Sequence, residues 1–196
     1  MRDTFNKMIG RTRYVVCRLF LHLAGSDVAP ILGVLNTTAR EAMAADGDLH
    51  SLGEGLVEIC ETLLRYDEDW LSAANEGEVF WDEGEAGDYF NELFNDSGER
   101  YGSSFDPSSP SGDQSFSIPV TRNVVVMLTV AYQGEVPDLE TDLSNIAALK
   151  DGLKALINLH YKQKLRGIQV HFSPAQLGDE LTNDQLLQYY PELIPL

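Results

Sequence analysis

Positive charge is scarce in this chain. It has 14 Lys and Arg against 31 Asp and Glu over 196 residues, a formal charge of −17. Polyphosphates repel such a surface unless a basic groove is concentrated somewhere, and none is visible, so nucleic acid is excluded as a partner. Cysteine is scarcer still. Cys17 and Cys60 make no disulfide framework and are compatible with a reducing, cytoplasmic or stromal compartment. No run of about 18 uncharged apolar residues exists, so no segment reads as a spanning helix.

The usual catalytic signatures are missing too. Gly53-Glu54-Gly55 lacks the third glycine and the preceding strand of a dinucleotide fingerprint. There is no Walker sequence and no Gly-x-Ser-x-Gly elbow. His22, His50, His160 and His171 are dispersed, without His-x-x-x-His, Glu-x-x-His or Cys-x-x-Cys spacing, so no metal is expected. Asp67, Asp69, Asp82, Glu83, Glu85 and Asp88 could in principle surround calcium. Gly84 and Ala86, however, fall where an EF-hand needs oxygen ligands. Glu54, Glu58 and Glu61 share one helical stripe and read as an exposed face, or as one that Arg11, Arg13 or Arg18 crosses to meet. Both cysteines sit at apolar helical positions and read as small buried hydrophobes. No cofactor and no catalytic residue are assigned.

What is present is 43% hydrophobic residues in strong periodic patterns. Phe5, Met8, Ile9, Val15, Val16, Leu19, Phe20 and Leu23 recur at spacings of three and four, which predicts an amphipathic helix over 4–24. A second helix is expected after an Asp27 cap, with Val28, Ile31, Leu32, Leu35 and Ala39 inward and Gly47 past its end. A third starts near Ser51, whose pairing with Glu54 fits a capping box, and buries Leu52, Leu56, Ile59, Cys60, Leu63 and Trp70. Three such helices predict an N-terminal bundle.

Residues 67–99 carry twelve acidic side chains and no Lys or Arg, yet aromatics are interleaved among them. An acidic disordered tail has few aromatics, so this stretch is expected to be ordered, with a short helix at about 86–95. Its Trp70, Phe80, Trp81 and Tyr89, with Asp82, Glu83 and Glu85, are the expected partner-binding surface. The aromatics would anchor in pockets and the carboxylates would steer toward a basic patch. Residues 102–117 are rich in Ser, Pro and Gly and read as a linker between a helical part, 1–101, and a small α/β part, 118–196.

Val124 to Ala131 is a continuous apolar run typical of a strand covered on both faces. Leu143 through His160 marks a helix, Ile168 to Phe172 alternates as a strand, and Thr182 with Gln185 forms a capping box closed by Pro191. A crossover through one helix predicts that the two strands are parallel, so the fold expected is α+β with a partly parallel sheet. Residues 113–119 are the candidate for an additional strand. Leu193, Ile194 and Leu196 are expected to dock against the sheet or a partner.

The segments RNVVVMLTVAYQGEVPDL, ALKDGLKAL, GIQVHFSP and LTNDQLLQYYPELIPL resemble an uncharacterised domain family of oxygenic phototrophs that includes the plastid fluctuating-light acclimation protein. The resemblance is best over 118–196. It implies a photosynthetic cell, a place at or near the thylakoid membrane and a role in acclimation, and it carries no catalytic residue. The reading that results is a non-enzymatic interaction or regulatory protein binding a basic protein partner. A second reading is a peripheral membrane protein whose basic N-terminal helix, through Arg2, Lys7, Arg11 and Arg13, rests on anionic lipid. A third is an enzyme whose site forms between the two parts.

Overall fold

The computed structural model describes residues 10–25, 28–103, 122–175, 179 and 181–196. Among them five strands form one sheet: β1 (Tyr14–Ala24), β2 (Trp70–Phe80), β3 (Asn123–Gln133), β4 (Leu165–Ser173) and the short β5 (Ile194–Pro195), in the order β4-β3-β1-β2-β5. The helices are α1 (Val28–Ala44), α2 (Leu49–Arg65), α3 (Glu83–Ser103), α4 (Ile146–Tyr161) and α5 (Asn183–Tyr189). The sheet takes β1 and β2 from before residues 104–121 and its other three strands from after them.

β1 is the central strand, paired antiparallel with both β2 and β3. Its odd-numbered residues from Val15 to Leu23 face α1, α2 and α4 and join the largest apolar cluster. Its even-numbered side carries Val16 under α3 and Phe20 beside α5. Helices thus cover both faces, which is why β1 and β3 are apolar nearly throughout and why almost every residue in them is buried.

The first expected helix is therefore a strand from Tyr14 onward; residues 4–9 of that expectation lie outside the described residues. Arg18 and His22, four apart, imitate the polar face of a helix. In the sheet they lie four register positions apart and so on one face, with Phe20 between them, each with polar partners. No N-terminal bundle forms, because α1 and α2 pack as a hairpin on the sheet and not around a first helix. The third helix begins earlier than expected. Asp48 is its cap, accepting from the Ser51 N–H at 2.9 Å and the Ser51 hydroxyl at 2.7 Å, and Trp70 belongs to β2.

The sheet is antiparallel throughout, which corrects the parallel expectation. The connection from β3 to β4 makes two passes, not one. The segment after Gly134 runs along the sheet to its middle, where Asn75 accepts from the Leu143 N–H at 2.8 Å and donates to the Thr141 carbonyl at 2.9 Å. Helix α4, capped by Asn145 and about 24 Å long at 1.5 Å per residue, then returns to the end from which β3 left. Two passes bring β4 back antiparallel, with Leu165 opposite Tyr132.

Other expectations are met more closely. β3, α4 and β4 lie where the patterns placed them, and the Thr182–Gln185 capping box is present with both bonds. The acidic stretch is ordered, but it contains the strand β2 and a helix of 21 residues, not a short one. Residues 102 and 103 finish α3; the rest of the expected linker, and the strand proposed at 113–119, lie outside the described residues. The terminus docks: Ile194 pairs with Ala73, the Leu196 N–H donates to the Leu71 carbonyl, and Leu193 packs by Tyr190.

Gly53 and Gly55 also gain a meaning. A Cβ on Gly53 would fall 2.1 Å from His160 Nδ1, and one on Gly55 would fall 2.4 Å from Thr38 Cγ2. The pair lets α2 approach α4 on one side and α1 on the other. It is a packing device and not a phosphate loop.

Candidate functional site

The predicted surface gathers at one corner of the molecule, where β2 ends and α3 begins. Phe80 closes the strand, Trp81 and Asp82 make the bend, and Glu83 opens the helix. Asp82 caps α3 by accepting from the Glu85 N–H at 3.1 Å. Glu83 and Glu85 in the first turn complement the positive end of the helix dipole. Glu83 also accepts from the Tyr14 hydroxyl at 3.3 Å. The Phe80 and Tyr89 rings lie 5.5 Å apart at 43°, half-buried against each other, and Trp81 is half-buried beside them.

Trp70 does not belong to this corner. It starts β2 while Phe80 ends it, and it is 5% exposed, with its indole N–H donating to the Leu63 carbonyl at 3.2 Å. It is a core residue. In its place the strand supplies two carboxylates that the sequence reading left out. Glu76 and Glu78 lie in β2 at register positions opposite Arg18 and Val16, on the face that α3 covers. Their negative charge, after burial, helps push the Tyr89 phenol above its ordinary value of 10.0. The spacing Glu76-x-Glu78-x-Phe80 is the alternation that would have found them.

A buried guanidinium holds this helix down. Arg18, 2% exposed, pairs with Glu76 (2.8 Å from Nε) and with Asp96 (2.6 Å), and donates to the Ser97 hydroxyl at 2.8 Å and the Leu93 carbonyl at 3.1 Å. Three of those partners are on α3. Arg18 and Arg100 both lie over the Phe20 ring, at 4.7 and 5.4 Å from its centre, and Arg100 pairs with Asp96 and Glu192. One network therefore ties β1, β2, α3 and the chain after α5 together.

Of the proposed membrane residues, Arg2 and Lys7 lie outside the described residues. Arg11 is exposed. Arg13 is engaged: its guanidinium takes both oxygens of Glu140, at 2.9 and 2.6 Å, and donates to the Gly134 carbonyl. Nor do Arg13 and Arg18 meet the Glu54–Glu58–Glu61 stripe, since each has other partners. Among the described residues no helix is long and apolar enough to cross a membrane.

The Arg13–Glu140 pair makes a measurable prediction. Burial opposes charge on Glu140, but hydrogen bonds from Arg13, the Val136 N–H and the Tyr132 hydroxyl outweigh it and hold the carboxyl below its ordinary 4.5. That contribution is complete above the ordinary carboxylate range and disappears as pH falls through the lowered value. His22 and His171 add to the same trend. Burial lowers both below 6.5, so the folded chain declines protons that the unfolded chain accepts. Urea midpoints should therefore fall from pH 7.5 to 5.5 and fall again toward pH 4. Glu140→Ala should cost about 2 kcal/mol at pH 7.5, the range for a hydrogen bond to a charged group, and flatten the acid limb.

Both thiols are buried, and burial pushes Cys17 up to about 12 and Cys60 higher still, so neither is a ready nucleophile. Among the described residues no three His, Cys, Asp or Glu side chains stand together in a way that could hold a metal ion.

These features define an antiparallel α/β/α sandwich carrying an acidic, aromatic corner latched from beneath by a buried arginine. The chain belongs to the family described as "Protein of unknown function (DUF1517)", whose model matches residues 13–196. No curated protein and no solved structure matches it.

Proposed function

We propose that this chain is a non-enzymatic interaction protein that docks a basic protein partner on the β2–α3 corner. The observation that carries the reading is the gathering there of Phe80, Trp81 and Tyr89 with Asp82, Glu83 and Glu85, widened by Glu76 and Glu78. Half-buried aromatics offer anchoring area and the carboxylates attract the partner at long range. The process comes from the resemblance of residues 118–196. It is acclimation of the photosynthetic membrane, with the protein in the cytoplasm or stroma and peripheral to the thylakoid.

The test is a tagged pull-down from soluble and membrane fractions of a phototroph, repeated across a salt series. The reversal Asp82→Lys, Glu83→Lys, Glu85→Lys should weaken a stoichiometric basic partner about tenfold or more, with a steep salt dependence. Because Asp82 caps α3, a second reversal of Glu78, Glu83 and Glu85 leaves the cap in place and should give the same loss. A partner retained by both variants overturns the assignment.

A further inference from the structure

The two edges of the sheet are finished differently. On β2, Ser72 and Ala73 pair with β5, and further along Glu76 and Glu78 place carboxylates on the strand. Such devices keep an edge from recruiting stray strands. On β4 they are confined to its start, where Arg166 and a register shift stand. From Gly167 to Ser173 it carries no charged residue and no proline, and among the described residues no strand pairs with its outer side.

This bare edge lies in a groove. Ile168 to Phe172 form one wall, the α1–α2 hairpin forms the other, and Phe94 of α3, 48% exposed, flanks the strand, enclosing about 740 Å³. The hairpin side is built from small and apolar residues, among them Ala39, Ala42 and Leu52, which leave room beside the strand. The acidic groups of the lining are Glu41, Glu54 and Glu58, all exposed, and among the described residues no Lys or Arg lines the groove.

We propose that this groove binds an extended segment of a partner protein, added as a sixth strand beside β4. Main-chain hydrogen bonds to the open edge would supply affinity. Alternation then sets the sequence it takes. Residues turned toward the hairpin must be lysine or arginine, the long stem lying on its small apolar side chains while the head reaches the three glutamates at the rim, and the alternate residues, turned toward Phe94 of α3, must be apolar. This site lies on the opposite edge of the sheet from the acidic corner and does not depend on it.

The probe is a fluorescein-labelled nine-residue peptide alternating valine and lysine, titrated against the full chain by fluorescence anisotropy. A valine–glutamate peptide of equal length is the charge control. Two further versions carry N-methyl groups on alternate residues, one for each edge of the peptide. The valine–lysine peptide should bind saturably and slow hydrogen exchange at amides 168–172. Affinity should drop about tenfold or more with glutamate and with one N-methyl pattern but not the other, as edge pairing requires. Ala42→Trp, which fills the groove from the hairpin, and the pair Glu41→Lys, Glu58→Lys should each weaken binding to a similar degree, with circular dichroism unchanged. Equal binding of both N-methyl versions, or binding unaffected by Ala42→Trp, overturns the proposal. So does uptake of a fluorescent fatty acid without peptide binding, which makes the groove a small-molecule pocket.

Discussion

Arg18→Ala is expected to destabilise the protein by about 3 kcal/mol, at the lower end of the range for removing one partner of a buried ion pair. The placement of the partners sets that figure. Arg18 is 2% exposed, while the Glu76 and Asp96 side chains are 44% and 41% exposed, so both carboxylates can turn to water once the guanidinium is gone. What cannot be repaired is the loss of the donor to the Ser97 hydroxyl, in the buried layer under α3. A buried acceptor without a donor costs about 1–3 kcal/mol. Loss of α3 docking should precede global unfolding, seen as faster hydrogen exchange over residues 83–103 in the native state. Arg18→Met keeps the volume and needs no partner, so it should cost clearly less than Arg18→Ala. Urea denaturation of the two variants checks this. Equal cost for both, or a cost below about 0.5 kcal/mol for Arg18→Ala, would mean that the network does not hold the helix.

Phe20→Ala is expected to cost about 3–5 kcal/mol, the range for emptying a fully buried phenylalanine site. Phe20 is 1% exposed and is packed with Val125, Met127, Leu186 and Tyr190, so few of its neighbours are free to collapse into the space. Its ring also lies under two guanidiniums, each contact worth about 0.5–2 kcal/mol when desolvated. Phe20→Leu separates the contributions, because it fills most of the volume and removes the ring. A double-mutant cycle with Arg100→Ala should show coupling of about 0.5 kcal/mol or more, since the two groups are in contact. Additive effects would contradict the stacking. Effects of Arg18 and Phe20 substitutions should not simply sum, because they share one network.

The legible parts of the fold were those in which local pattern and tertiary role agree. α2 and α4 follow their apolar stripes, α5 follows its capping box, and β3 is betrayed by its β-branched run. β1 was hidden because burial on both faces removes the period of two, while Arg18 and His22 supply a false period of four. β2 was hidden for the opposite reason. Its outer half, Asn75 to Val79, is polar, glycine-bearing and largely exposed, so it resembles a loop until β1 pairs with it. Without β1 and β2 beside them, β3 and β4 stand as an isolated pair, for which one helix is the ordinary connection. Nothing local signals that the segment from 134 to 145 makes a pass of its own; that depends on Asn75, some seventy residues earlier.

The site shows the same division. Composition alone marks out Phe80, Trp81, Asp82, Glu83, Glu85 and Tyr89, because a strand–helix bend keeps near neighbours together. It misplaces Trp70, which a whole strand carries to the other end of the sheet, and it omits Glu76 and Glu78, which only alternation brings to the same face. The cation that anchors the corner from below comes from β1 and has no counterpart in the acidic stretch.

The most direct measurement is photo-crosslinking from the corner itself. A benzophenone amino acid placed at Glu85, and in a control at Glu61 on the exposed stripe of α2, would be irradiated in phototroph extract and the adducts read by mass spectrometry. One dominant basic protein should be crosslinked from position 85, be absent from position 61, and be lost when ionic strength is raised. The same adducts from both positions, or a position-85 adduct indifferent to salt and to reversal of Glu78 and Glu83, would contradict docking at the corner.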